Sequence, residues 1–462
     1  MLQNTIQECI RKTKPRLNVE WWWNNDLNKM KRKFNKLKSQ LYKFCTLNDH
    51  PSHQEFKKAS NLYGEAIIHA KWQHWINYLE EMTAADIWTT NKYIKELPGD
   101  GGCPCIPTLK TRNEEGAKTY INNNQDKAKL FTKAFFPTAP ETPINYSHYN
   151  YPEPLLDSPQ ITPTQLERHV AKLSPYKVHG LDGIPNIVRQ KSINLISNWL
   201  LIIFRAILKH GIYYDQWREF TTIVLRKPNK PNYKNPKAYQ PIALISTIAK
   251  VLTSIVAENL SQVVEQHQIL PKTHFGNRPG RSTTDAAHYL IYKILTAWQS
   301  DKVASVLFLD IEGTFPNTMP AQLIHNLKRR KILTTIITFV ELLLINRRTK
   351  LQFDDFTSDT IMVTNGIGQD NPLSMLLYIL YNSDLLDISN NPLTDFIIGY
   401  VDDIAIIAIG ANFEETTQWI KDMMTKDGGG LQWSTNHNSC FEVSKSAIAT
   451  SLEKPSQTPT LA

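Results

Sequence analysis

Two adjacent carboxylates, Asp402 and Asp403, interrupt an apolar run that covers residues 396–409. Apolar segments of β-branched and aromatic residues predict buried strands, and the polar pair between them predicts a tight turn that joins two antiparallel strands. Two like charges at the tip of such a hairpin repel each other and resist desolvation. Because hard cations such as Mg²⁺ or Mn²⁺ bind carboxylate oxygens, the pair is a candidate metal site, and an ordinary acidic turn is the alternative.

A second acidic centre follows another apolar segment. Residues 303–309 predict a buried strand that ends at Asp310, 92 positions before Asp402. The intervening residues predict one long helix over 322–345 and a hairpin between 350 and 363. Strands and helices alternate without a regular βαβ repeat, so the predicted fold class is α+β.

Positive charge is concentrated at the start of the chain. Of a net charge of +9, nearly all lies in residues 1–45, which hold eleven Lys and Arg against three acidic residues. The apolar residues here recur at steps of three and four, which predicts a helix whose other faces carry Lys29, Arg32 and Lys36. A basic face attracts nucleic acid through counterion release. A solvated helix face is the alternative.

Two further basic segments suit phosphate groups. Arg226 and Lys227 follow the predicted strand 220–225 in a Pro-rich turn, and Arg278 and Arg281 lie in the Gly-rich loop 274–284. Guanidinium forks and close backbone approach at glycines favour a sugar-phosphate backbone. For the second segment, a plain capped loop before a helix is the alternative.

Composition indicates an intracellular protein without membrane contact. Five scattered cysteines in 462 residues indicate a reducing compartment, and no signal peptide opens the chain. The apolar run 199–204 is too short to cross a bilayer. The predicted organisation is a basic helical region (1–136), a linker or surface-hugging arm with seven prolines between 137 and 163, two globular parts (164–300 and 301–448) and a disordered tail (449–462).

Taken together, these blocks resemble the reverse transcriptase region of non-LTR (LINE-type) retrotransposons. The resemblance runs from about residue 21 to residue 445 and rests on motifs in the family's order. They are Leu225-Arg-Lys-Pro-Asn-Lys-Pro231, Pro236-Lys-Ala-Tyr-Gln-Pro-Ile242, Phe275-Gly-Asn-Arg-Pro-Gly-Arg-Ser-Thr-Thr-Asp285, Phe308-Leu-Asp-Ile-Glu-Gly-Thr-Phe315, Tyr400-Val-Asp-Asp403 and Phe441-Glu-Val-Ser-Lys445. The resemblance implies the fingers (164–300, with part of the palm) and the palm (301–448) of a right-hand polymerase.

The resemblance also implies a site and its partners. Asp310, Asp402 and Asp403, with the backbone carbonyl of Ile311, would hold two Mg²⁺ or Mn²⁺ ions. Lys445 would assist departure of pyrophosphate, or it merely closes a strand at the surface. The expected partners are an RNA template, a DNA primer and a dNTP. Expected nucleotide contacts are Arg226, Lys227, Gln369, Tyr400 and Phe315, whose ring would exclude the ribose 2′-hydroxyl or else simply packs in the core.

Departures from the family pattern predict a truncated and degenerate copy. Gln240 stands where the family has arginine, Asp370 where it has glycine, Pro316 where an acid is usual, and Leu181 where it has proline. About seventeen residues follow Lys445, so we expect the thumb to be largely missing. The open alternatives are an active RNA-directed DNA polymerase and an inactive remnant that only binds nucleic acid. Nuclear residence follows from the family's life cycle alone.

Overall fold

The structure is a computed structural model of the 462-residue chain. It describes residues 22–44, 50–80, 105–112, 118–139, 146–156, 159–228, 230, 232–389, 391 and 393–451. The chain forms two compact units, Met1–Cys103 and Pro104–Ala462. The unit boundary therefore lies well before residue 136, where the sequence predicted the end of the N-terminal region.

The described part of the first unit is a helix pair, α1 (Asn25–Lys43) and α2 (Ser52–Glu80). Asn24 caps α1, because its side chain accepts hydrogen bonds from the backbone N–H groups of Asp26 and Leu27. The apolar stripe of α1 faces α2, and the Phe34 ring lies 5.2 Å from that of Phe56. The amphipathic helix predicted for this region is confirmed as α1.

The second unit mixes helices and strands, as the α+β prediction requires. Its helices are α3 (Asn124–Phe135), α4 (Pro163–Ala171), α5 (Asn186–His210), α6 (Thr247–Gln266), α7 (Thr283–Gln299), α8 (Thr314–Asn317), α9 (Pro320–Arg329), α10 (Thr334–Leu344), α11 (Ser374–Leu386), α12 (Phe413–Thr425) and α13 (Gly430–Asn436). Its strands are β1 (Leu109–Arg112), β2 (Lys118–Ile121), β3 (Glu219–Arg226), β4 (Tyr239–Leu244), β5 (Val303–Glu312), β6 (Arg347–Phe353), β7 (Phe356–Thr357), β8 (Ile361–Val363), β9 (Asp395–Tyr400), β10 (Asp403–Gly410), β11 (Cys440–Phe441) and β12 (Ala447–Ser451).

The strands form a β1–β2 hairpin and two five-stranded sheets. In the central sheet β5 lies between β10 and the short strands β11 and β12, and β9 pairs with the other edge of β10. In the second sheet the order is β4-β3-β6-β7, with β8 also paired to β6, and only β3 and β6 run parallel. Helix α3 covers the second sheet, where Phe131 meets Tyr239 and Phe353 edge-on.

The central sheet is buried on both faces, which explains why β10 is an unbroken apolar run. Alternate side chains point to opposite faces of a strand. Ile404 and Ile406 therefore pack with helices α12 and α13, whereas Ala405 and Ile407 pack on the side of α7. Strand β10, which begins at Asp403, is therefore packed on both of its faces.

Two predicted elements differ from the structure. The single helix expected over 322–345 is two helices, α9 and α10, because Lys331 between them adopts a left-handed conformation with φ of 60°. Residues 449–451, expected in a disordered tail, belong to β12 and pair with β5. Residues 452–462 of that predicted tail lie outside the described residues.

The Pro-rich segment 137–163 packs in part against α9, and the apolar run 199–204 lies within the longer helix α5. The described part of the segment lies along α9, where the Tyr151 hydroxyl contacts His325 Nδ1 at 3.0 Å, as expected for a surface-hugging arm. The apolar run 199–204 belongs to a helix of 25 residues that is long and apolar enough to cross a membrane by length and composition. One side of that helix packs in the core through Phe204 and Ile207.

Candidate active site

The acidic pair lies at the predicted hairpin. Strands β9 and β10 pair antiparallel with Tyr400 opposite Asp403, so Val401 and Asp402 form the turn and Asp403 opens β10. The hairpin prediction is confirmed. Asp402 lies in the turn at the tip of the hairpin, whereas Asp403 lies on strand β10.

Asp310 is the direct neighbour of Asp403. Strands β5 and β10 pair antiparallel with these two residues opposite each other. Directly opposed residues hold their Cβ atoms about 5 Å apart. Two acidic centres 92 positions apart in the chain therefore meet at one end of the central sheet, as the resemblance implies.

Asp310, Asp402 and Asp403 form an acidic cluster, and their negative charges are only partly balanced by nearby cations. Burial raises the pKa of Asp403, and the nearby carboxylates of Asp402 and Asp310 raise it further. The Lys445 ammonium donates a hydrogen bond of 2.6 Å to Asp310 Oδ2, and this bond raises the pKa of Lys445. Asp402 Oδ2 accepts a bond of 3.3 Å from Thr314 Oγ1. Lys445 is thus the cation that accompanies these acids.

The carboxylate oxygens of the acidic cluster are suitable donor atoms for a hard divalent cation. Carboxylate oxygens are the ligands such ions prefer, and the raised pKa of Asp403 shows that added positive charge would be favourable. In the part of the chain that the structure describes, however, no three His, Cys, Asp or Glu side chains have converged on one metal position. The Ile311 carbonyl, expected as a further ligand, accepts a 3.3 Å bond from Thr314.

Phe315 lies beside the carboxylates on the short helix α8. Its half-buried ring meets the buried Tyr378 edge-on, with ring centroids 5.8 Å apart. Its carbonyl accepts a 2.8 Å bond from the Ile367 backbone N–H. Gly366, with φ of +75°, permits this approach, because a Cβ there would lie 2.8 Å from the Phe315 carbonyl oxygen. Both the gate interpretation and the packing alternative are compatible with this half-buried ring.

Two further expected nucleotide contacts are Gln369 and Tyr400. Gln369 is exposed in the loop before α11. Tyr400 is half-buried and, with Asp310, Asp403 and Lys445, lines a cavity of about 320 Å³ between α7 and the central sheet. The structure therefore places Tyr400 beside the acids.

Arg226 is the last residue of β3, one residue beyond the predicted strand end, and Lys227 follows it. The Arg226 guanidinium donates a 2.8 Å bond to the Cys105 carbonyl and lies over the Tyr233 ring. Burial lowers the pKa of Lys227, and the ammonium groups of Lys230, Lys445 and Lys237 lower it further. Lysines from the β3–β4 connection therefore gather beside the acidic cluster.

The sequence reasoning missed two members of this charged region. Lys237 forms an ion pair with Glu312, which links the β3–β4 connection to the end of β5. Glu312 lies two residues after Asp310, and positions i and i+2 share one face of a strand. That spacing is the signal that would have identified Glu312.

The loop 274–284 does not present both arginines to a ligand. Arg278 is buried and forms a two-pronged ion pair with Glu265 at 2.7 and 2.8 Å. Its remaining nitrogen bonds the carbonyl oxygens of Pro271 and His274. A nucleic-acid contact is therefore not retained for Arg278. Arg281 also bonds the His274 carbonyl, lies over the Phe275 ring, and stays partly exposed.

The basic face of α1 is accessible. Lys29, Arg32 and Lys36 are exposed, and Lys29 forms only a surface ion pair with Asp26 at 3.2 Å. Exposed pairs of this kind contribute little to stability, so Lys29 remains available for phosphate contact.

Asp370, one of the departures, has an internal partner. Its Oδ2 atom accepts a 2.8 Å hydrogen bond from the Ala243 backbone N–H on β4. The carboxylate also opposes the effect of burial on the pKa of Lys250. Asp370 thus fastens the loop before α11 to the second sheet, in place of the free backbone that glycine would leave.

Comparison with known proteins identifies the class. Residues 225–448 match the family described as reverse transcriptase (RNA-dependent DNA polymerase). This range includes the acidic cluster, the β3–β4 lysines and Phe315, so the second unit carries a reverse transcriptase domain.

Three relatives from Drosophila melanogaster specify the domain further. The chain is 25% identical over 353 residues to "Probable RNA-directed DNA polymerase from transposon BS" (73% of this chain, 38% of the relative). It is 28% identical over 223 residues to the X-element polymerase (48% and 24%) and 21% identical over 450 residues to that of mobile element jockey (92% and 47%). Together with the family match, these relatives support a reverse transcriptase region similar to that of LINE-type, non-LTR retrotransposons.

The chain spans less than half the length of these relatives. Among solved structures, the apo telomerase of Candida tropicalis truncated from its C-terminal domain aligns at 12% identity with a TM-score of 0.39, covering 56% of each chain.

Proposed function

We propose that this chain is the fingers and palm of an RNA-directed DNA polymerase that copies RNA by two-metal nucleotidyl transfer. The observation that carries the proposal is the register of the central sheet, which places Asp403 opposite Asp310 with Asp402 in the adjoining turn. In this assignment the central sheet is the palm and the β3–β4 hairpin belongs to the fingers.

The acidic cluster is the proposed metal-binding centre. Asp310, Asp402, Asp403 and the Ile311 carbonyl would hold Mg²⁺ or Mn²⁺. When bound, two such ions supply charge neutralisation and in-line orientation of the attacking 3′-hydroxyl and the leaving pyrophosphate. Because phosphoryl transfer depends on positioning, the rigid support of β10 on both faces favours this chemistry.

The chain's own cations would hold the triphosphate. Lys227 lies among other ammonium groups that lower its pKa, so an anion at this position relieves repulsion. Arg226 would add a guanidinium to the same group of phosphates. Lys445 stays protonated because of its bond to Asp310, and it would donate its proton to the departing pyrophosphate.

Phe315 would select the sugar. A fixed ring beside the carboxylates excludes a 2′-hydroxyl by contact, and the bonds to its backbone oppose movement away from the sugar. Gln369 and Tyr400 would contact the nucleotide from the two neighbouring loops. Arg281 and the α1 residues Lys29, Arg32 and Lys36 would bind the primer–template backbone.

Primer extension on an RNA template with Mg²⁺ or Mn²⁺ tests the proposal. Wild-type protein is expected to extend the primer, and Asp402→Asn to abolish extension because it removes one metal-binding charge. Asp359→Asn, which changes an exposed carboxylate far from the cluster along the chain, is the matched control and should retain activity. Folded wild-type protein that extends no primer under either metal would refute the proposal.

The second candidate is an inactive remnant that binds nucleic acid through α1. The exposed, basic face of that helix favours it, because phosphate binding needs no catalytic geometry. This candidate predicts RNA binding that weakens with salt and no extension by any variant. Extension that depends on Asp402 decides against it.

A further inference from the structure

The turn that carries Asp402 contains a strained residue. Val401 has φ of 60°, in the left-handed region that β-branched residues rarely adopt. Such a conformation persists only where the surrounding structure over-determines it, and it tends to occur at functional sites. The groups that contact Val401 therefore show what holds the catalytic turn.

A segment of the loop before α7, residues 273–276, lies against this turn, and we call it the strap. It pairs with Gly399, the second-last residue of β9: Gly399 N–H donates to the Thr273 carbonyl at 3.1 Å, and Phe275 N–H donates to the Gly399 carbonyl at 2.8 Å. The strap thereby covers the outer edge of β9 next to the turn.

The last residue of the strap touches the strained backbone. A Cβ atom on Gly276 would lie 2.5 Å from the Val401 nitrogen, 2.7 Å from Val401 Cγ2 and 3.0 Å from the Tyr400 carbonyl carbon. Backbone atoms cannot move aside as a flexible side chain can. Glycine at this position lets the strap press directly on the turn.

The strap is itself fixed. His274 is fully buried, and its carbonyl accepts hydrogen bonds from Arg278 and Arg281 at 3.2 and 3.0 Å. Arg278 is in turn held by Glu265 at the end of α6. On the opposite side of the turn, the Asn382 amide of α11 donates to the Val401 carbonyl. Val401 is therefore clamped between the strap and α11.

We propose that the strap is a positioning element for the catalytic carboxylates. By holding Val401 in its left-handed conformation, Gly276 and the arginine-anchored His274 fix where Asp402 and Asp403 stand relative to Asp310. The loop expected to grip nucleic acid instead supports the metal-binding turn from behind. The inference rests on the proposed polymerase function and assigns Gly276 as a positioning residue for it.

Gly276→Ala is the direct test, with Gly280→Ala as the matched control. Gly280 lies in the same loop at φ of +69°, and a Cβ there meets nothing within 4 Å, so its replacement strains the loop without touching the turn. Three readouts separate the effects: thermal unfolding, Mn²⁺ affinity measured by electron paramagnetic resonance without nucleic acid, and steady-state primer extension.

Gly276→Ala is expected to lower kcat by roughly 100-fold, because misplacing a reacting group by about 1 Å has that effect. Mn²⁺ affinity should fall by about tenfold or more, the usual consequence of disturbing groups that orient metal ligands. KM for primer–template should match that of Gly280→Ala, whereas the unfolding temperature should be lower, because only the Gly276 methyl group contacts backbone atoms. A Gly276→Ala protein with the Mn²⁺ affinity and kcat of Gly280→Ala would overturn the inference.

A second variant covers the case in which Gly276→Ala does not fold. Adding Val401→Gly removes Cγ2 and the cost of the left-handed conformation, and a glycine at 401 lets the turn backbone shift away from the added methyl group, so the double variant should fold. Weak Mn²⁺ binding by the folded double variant supports the strap, and wild-type binding refutes it. A wild-type chain that binds Mn²⁺ but extends no primer refutes only the polymerase function, whereas one that does neither refutes both.

Discussion

Replacing Arg278 by methionine tests whether this arginine stabilises the fold or binds phosphate. Methionine keeps most of the side-chain volume but removes the charge and four hydrogen bonds, two of them to Glu265. Breaking a buried ion pair costs about 3–5 kcal/mol because one charge is left without a partner.

The Glu265 side chain is 31% exposed and can be partly hydrated after the change. We therefore expect a loss of about 2–4 kcal/mol in the free energy of unfolding. For the unit Pro104–Ala462, that corresponds to a melting temperature lower by roughly 3–5 °C.

The same variant makes a clear prediction for RNA binding. Because Arg278 is buried within the fold, the slope of log affinity against log salt concentration should not change. Arg32→Met is the matched control: its exposed guanidinium should affect the melting temperature little, while its loss should reduce the salt slope by about 1. An unchanged melting temperature for Arg278→Met together with a reduced salt slope would show that the buried assignment is wrong.

Two further predictions concern the departures and pH. Asp370→Gly removes the hydrogen bond from the Ala243 backbone N–H, so this variant alone should lower the melting temperature. The double variant Asp370→Gly with Gln240→Arg should raise primer extension at low dNTP concentration. Primer extension that is unaltered at all dNTP concentrations would contradict this prediction. Burial lowers the pKa of His437 from 6.5 to about 4 despite nearby Asp384. As the pH falls, the unfolded chain therefore takes up a proton at His437 before the folded chain does. The free energy of unfolding should be highest above pH 6.5 and fall as the pH approaches 4, and His437→Gln should flatten this dependence. A wild-type melting temperature that does not change between pH 7 and pH 5 would contradict this prediction.

Local features of the chain were predictable because their causes are local. The capping box of Thr162 and Gln165 and the left-handed Gly211 that ends α5 follow from side-chain and backbone chemistry within a few residues. The β9–β10 hairpin follows in the same way from two apolar runs around a polar pair. The hairpin lies where the sequence predicted it.

Features that depend on distant partners were not predictable in this way. The sequence identified Asp310 and Asp403 as strand residues, but the register that sets them opposite each other depends on the packing of both sheet faces. Arg278 shows the limit most clearly. The same Gly- and Arg-rich loop suits a phosphate backbone or a buried acid, and only the position of Glu265 on α6 decides between them.

The structure also bears on whether the departures have damaged the site. Asp370 has a backbone partner on β4, and the Pro316 carbonyl accepts a 3.2 Å bond from the Asn365 amide. Neither substitution leaves its loop without support. Gln240 differs from Asp370 and Pro316, because it removes a positive charge that the family has near the proposed triphosphate position.

The β3–β4 lysines offer a compensating charge. Burial and the nearby ammonium groups of Lys230, Lys445 and Lys237 lower the pKa of Lys227, and Lys237 and Lys445 are paired with Glu312 and Asp310. Cations bound to those acids would compete with both lysines and free them for the triphosphate. Charge at the nucleotide position would then come from lysines that move, rather than from the arginine that Gln240 replaces.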